Sequence, residues 1–192
     1  MIPTTLQSMT RSNIGNVIRI AAATLLVVLL LPVSAMAQKH LWRQATDAEL
    51  GAVLPARAPV EKEHIETEMR AASGITDGKG HFFAGVVLIT AGYSADGKYS
   101  HYLITQIPLS MGGVFLAPGQ YVFGWQRNGD AQLSVHIHEA ITGKLLGNAV
   151  AHRMTTTNRV ESLRIWPPME KDANLALLQI GRFAVDCELK DR

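Results

Sequence analysis

Val114-Phe115-Leu116-Ala117-Pro118-Gly119-Gln120-Tyr121-Val122-Phe123-Gly124-Trp125 lies past the middle of the chain and sets how its neighbours are read. Pro118-Gly119 is a turn dipeptide, because proline presets φ near −65° at one corner and glycine tolerates φ > 0 at the next. Beyond it Tyr121, Phe123 and Trp125 fall two residues apart, so a strand places all three rings on one face. A ring stripe of this size supplies a large block of burial and marks a core strand.

The flanking stretches carry the strand pattern outward. His81 to Ala91 is a nearly continuous apolar run, as expected of a strand covered on both faces. Ala95-Asp96-Gly97-Lys98 is a turn, and Tyr99 to Ile107 alternates, so the two segments predict a hairpin. Arg127-Asn128-Gly129-Asp130 ends the aromatic strand. Gln132 to Glu139 then alternates, Thr142-Gly143-Lys144 turns, and Leu145 to His152 returns. Arg159 to Trp166 is a further strand, closed by Pro167-Pro168. Asn174 to Leu189 is long enough to bend at Gly181 or to hold two strands. Turn signals recurring roughly every 8–12 residues predict a mainly β fold, a single antiparallel β-sandwich of about seven or eight strands over 81–192.

The N-terminal third reads differently. Residues 1–37 have the three parts of a secretory signal peptide: Arg11 and Arg19, an apolar run from Ile20 to Leu31, then Pro32 and Ala35-Met36-Ala37 as a cleavage site. The apolar run falls short of the ~20 residues that span a bilayer. Cleavage after Ala37 is expected to leave no membrane anchor and to deliver the protein to the periplasm or the exterior. Residues 38–80 form an expected extension with one or two short helices. Thr46-Asp47-Ala48-Glu49 fits a capping box. Val60 to Ala72 predicts an amphipathic helix, with Glu61, Glu63, Glu66 and Glu68 early, Arg70 late, and Ile65, Met69 and Ala72 along one stripe.

Charge and cysteine usage exclude several functions. The chain has 18 Lys+Arg and 16 Asp+Glu. The leader holds two arginines and no acid, so the processed chain carries 16 of each sign. Without a basic run after Gln38, a nucleic-acid partner is not expected. A single cysteine, Cys187, rules out an intramolecular disulfide.

The groups that carry chemistry are few. His136-Ile137-His138 puts two imidazoles on one strand face, and His152 in the next strand is a third candidate metal ligand. Gly92-Tyr93-Ser94-Ala95-Asp96 lacks the second glycine of a nucleophile elbow. Asp77-Gly78-Lys79-Gly80 has neither calcium-loop nor phosphate-loop spacing. No catalytic residue and no cofactor loop is identified. Tyr93, Tyr99 and Tyr102 flank a turn and are the candidate contact residues for a ligand. The expected function is a secreted, non-catalytic binding or accessory module for a protein or a glycan. The alternatives are a periplasmic metal-binding protein using His136 and His138, and an enzyme whose groups converge only in three dimensions.

Two phrases resemble known families. Leu116-Ala117-Pro118-Gly119-Gln120-Tyr121, and Val135 to Ala149 with Thr142-Gly143-Lys144-Leu145-Leu146-Gly147, resemble prealbumin-like and carboxypeptidase-regulatory-like β-sandwiches. In those families the phrases come in the opposite order, and a proline stands where Leu145 does. The chain as a whole is similar to secreted bacterial β-sandwich proteins with no assigned activity. The resemblance implies a sandwich and a non-catalytic role, and it transfers no site residues.

Overall fold

A computed structural model describes residues 42–155 and 160–190. The expected signal peptide lies outside the described residues. Among these described residues thirteen strands and one helix follow in order: β1 (Arg43–Gln44), α1 (Asp47–Val53), β2 (Arg57–Val60), β3 (Glu63–Thr76), β4 (Phe82–Leu88), β5 (His101–Thr105), β6 (Leu109–Met111), β7 (Val114–Leu116), β8 (Gly119–Asn128), β9 (Gln132–Glu139), β10 (Leu145–Arg153), β11 (Glu161–Trp166), β12 (Leu175–Gly181) and β13 (Phe183–Leu189). Every pairing between them is antiparallel.

The expected sandwich of seven or eight strands does not form. The strands make one sheet in the order β1-β3-β4-β5-β8-β9-β10-β13-β12-β11, with β2 on β3 and the β6–β7 pair on β13. This sheet curls until β11 lies against β3, giving a nearly closed barrel. No ladder joins those two strands. The Ile165 N–H of β11 donates instead to the buried Ser73 hydroxyl of β3 at 2.9 Å. Sandwich and barrel have the same local strand pattern, so alternation alone does not separate them.

The helix expected over Val60–Ala72 is also replaced. That stretch is the end of β2, a two-residue turn, and most of β3. Between Glu68 and Ser73 the register to β4 slips, five residues of β3 spanning two of β4. This long bulge brings Ile65, Met69 and Ala72 against one hydrophobic cluster. The apolar stripe read from the sequence is therefore real, but a bulged strand makes it. The shorter helix does form, with Thr46 and Glu49 completing the capping box of α1.

Two cores result, one on each face of β4, β5 and β8. Phe83, Leu103, Tyr121 and Phe123 point into the barrel with Val135, Ile137, Ala149, Leu163, Ile165, Leu178 and Val185. On the outer face Ala84, Val86, Tyr102 and Val122 are covered by Leu50 and Leu54 of the α1 segment, Val60 and Ile65. That double cover explains the unbroken apolar run of β4. An apolar interior with outward Ser134, His136 and His138 on β9 is the reverse of a transmembrane barrel. Cys187 lies fully inside, and burial pushes its thiol up, so it behaves as a small apolar side chain.

Pro118-Gly119 opens β8 as a tyrosine corner. The Tyr121 hydroxyl turns back and donates to the Ala117 carbonyl at 2.6 Å. A methyl group at Gly119 would stand 3.1 Å from that hydroxyl, so glycine is what lets the ring lie so close. Tyr121→Phe removes this part-buried hydrogen bond and is expected to lower unfolding free energy by about 1 kcal/mol in urea melts. Unchanged stability would show that the corner does not hold this turn.

Candidate functional site

Inner-face side chains continue past the packed core at one end of the barrel. On β8 the odd-numbered residues face inward, opposite Ile137, Val135 and Leu133 of β9. Tyr121 and Phe123 are buried, whereas Trp125 is 44% exposed and Arg127 beyond it reaches solvent. The three rings share a face as the sequence predicts, yet only two belong to the core. Trp125 stands on the wall of an open mouth.

This mouth is a cavity of about 560 Å³. Val87, Trp125, Leu133, Val160, Ile180 and Phe183 give it apolar walls. Arg127 and Arg182 stand at its edge, the Arg127 guanidinium 5.9 Å from the Phe183 ring centre. The volume lies within the range of small-molecule sites, and barrel mouths are a usual place for them.

His101 forms the floor. Its ring stacks on Phe123 with centroids 4.6 Å apart and planes 3° from parallel. Nε2 lies 3.3 Å from the Ser162 carbonyl, which can only accept, so Nε2 carries the proton. Nδ1 then accepts from the Ser100 hydroxyl at 2.7 Å. Burial pushes this imidazole down to about 4, the Ser162 carbonyl opposing in part. His101 therefore stays neutral at ordinary pH with both nitrogens engaged, and it ties β5 to β11 as Ser73 ties β3. Alternation placed His101 on the strand, but the Ser162 partner, 61 residues away, has no signal in the sequence.

A second cleft of about 530 Å³ lies on the outer wall, lined by Asp96, Lys98, Trp125, His136, His138 and Leu145 among others. His136 and His138 share this cleft, as a strand requires. His136 Nδ1 is 2.7 Å from the Asn148 side-chain oxygen on β10. Desolvation lowers the His138 pKa, and its Nδ1 is buried with no hydrogen-bond partner. Beside it Glu61 holds φ at +53°, accepts from Lys98 and from the Tyr99 hydroxyl, and donates its N–H to Ala140. Those bonds pin the β2–β3 turn to the barrel.

His152 does not join the pair. It sits opposite Gln132 while Asn148 sits opposite His136, four residues or about 13 Å along β10. Among the described residues no group of three or more His, Cys, Asp or Glu side chains is arranged to hold a metal ion. The tyrosines also part company. Tyr99 and Tyr102 are buried in the outer core, and only Tyr93 is partly open, its hydroxyl 3.5 Å from Arg57. Of the three candidate contact residues, Tyr99 and Tyr102 are thus held under the α1–β2 segment.

No protein-family model, curated protein or solved structure matches this chain.

His101 gives a signed pH dependence. The unfolded imidazole takes a proton near pH 6.5, whereas the folded one does so only near pH 4. Stability is therefore fully present above about pH 6.5 and is lost as pH falls toward 4, by about 3 kcal/mol. His138 shifts in the same direction. Urea melts across pH 4–8 should show this loss, and His101→Gln should remove most of it. Parallel pH curves for the two proteins would contradict the assignment.

Proposed function

We propose that this protein is exported to the periplasm or exterior and serves there as a non-catalytic binding module, its ligand entering the barrel mouth. Export rests on the leader pattern of residues 1–37. The binding site rests on one observation: a cavity of about 560 Å³ on a packed barrel floor, with Trp125 44% exposed on its wall. An exposed indole on a rigid apolar wall is a ready contact for a ligand. The neutral, stacked and doubly bonded His101 supports binding over proton transfer, since a general base works best with a pKa near the operating pH.

Titration of the exported protein, whose first residue on this reading is Gln38, with the neutral apolar dye N-phenyl-1-naphthylamine tests the site. The expected result is saturable one-to-one binding with energy transfer from tryptophan. Trp125→Ala should weaken it about tenfold, the effect of removing one large apolar wall residue. Binding without saturation, or binding unchanged by Trp125→Ala, would overturn the assignment of the mouth.

A further inference from the structure

We propose that the ligand of the barrel mouth is an apolar molecule with a single anionic head, a medium-chain carboxylate being the simplest case. This rests on the mouth being the binding site and specifies what it takes. The charged side chains among its lining residues are Arg127 and Arg182, with no carboxylate. Asp130 is the acid recorded near Arg127, but it is 97% exposed and its oxygen stands 3.9 Å away. The lining itself is therefore positive, while the Asp96 carboxylate on the Thr90 hydroxyl and Glu161, between Val160 and Ser162, stand next to it.

The interior selects against other ligands. Three of its polar groups are already engaged: the Ser100 hydroxyl and the Ser162 carbonyl on His101, and the Thr90 hydroxyl on Asp96. A sugar placed there would bury hydroxyls without partners, at a cost of ~1–3 kcal/mol each. A cationic head would meet two guanidinium groups. An alkyl chain has none of these difficulties. It fits against Val87, Trp125, Leu133, Ile180 and Phe183, and its carboxylate reaches the rim. Guanidinium forks match carboxylate geometry, and the Arg127 fork already lies near the Phe183 ring at the edge of the wall. Because both arginines are exposed, the head keeps much of its hydration and avoids the cost of full charge burial.

The test is calorimetric titration of the exported protein at pH 8 with octanoate, octanol and octylamine, equal in chain length and different in head charge. Octanoate is expected to bind one to one and about tenfold tighter than octanol, with octylamine weakest. Arg127→Gln combined with Arg182→Gln alters only exposed side chains. It should leave melting temperature unchanged and bring octanoate and octanol to equal affinity. If octanol matches octanoate in the unaltered protein, or the double variant keeps the preference, the anionic head is wrong while the mouth remains a binding site. If none of the three binds and N-phenyl-1-naphthylamine also fails, the mouth itself is wrong and the proposal falls with it.

Discussion

A sheet that curls into a barrel must bring its last strand back to its first ones, and here β11 meets β3 through side chains. β11 has a ladder on one edge only, to β12. Its other edge offers the Ile165 N–H and the Ser162 carbonyl, which meet the Ser73 hydroxyl of β3 and the His101 imidazole of β5. Unpaired backbone groups in an apolar interior are costly, so these two polar side chains have little freedom to be anything else. Each joins elements more than sixty residues apart in sequence. The seam closes the core on one side and, through His101, makes the floor of the mouth on the other. Folding and the candidate site thus share one residue.

The bulge in β3 serves the same end. It slips the register after Glu68, so the first half of the strand lies over the outer wall with β2 while the second half enters the barrel with Ser73. The segment before it, with α1, Leu50 and Leu54, then covers the outer face of β4 and β5. Glu61, bonded to Lys98 and Tyr99, fixes the turn between β2 and β3 against that wall. A backbone residue at positive φ is disfavoured for a glutamate, and the three contacts of Glu61 are what hold it there.

Alternation made much of this legible. The hairpin of β4 and β5, the aromatic strand β8, the β9–β10 hairpin, and the bend at Gly181 between β12 and β13 all follow from local pattern. Gly181 has φ +60°, the conformation that a tight reversal needs and glycine supplies freely. What alternation missed has a common cause. Ile65, Met69 and Ala72 sit at helical spacing because a bulge shifts strand periodicity by odd steps, and a bulge has no residue signature here. Closure into a barrel depends on Ser73 and Ile165 meeting across 92 residues, which no local window contains. At the site, the period of two placed Trp125 in line with the core rings correctly. It could not show that the barrel ends at Phe123, so a core residue and a wall residue looked alike. The tyrosines show a further limit of local pattern, since flanking a turn does not reveal that another segment lies on top of Tyr99 and Tyr102.

The seam is best tested by amide hydrogen exchange at Ile165. If Ser73 closes the barrel, this amide exchanges only through global unfolding, with protection equal to that of ladder amides such as Val135, and Ser73→Ala lowers its protection. Exchange of Ile165 orders of magnitude faster than Val135 in the unaltered protein would show that β11 opens on its own. The sheet would then be an open one, and the mouth would lack a fixed floor.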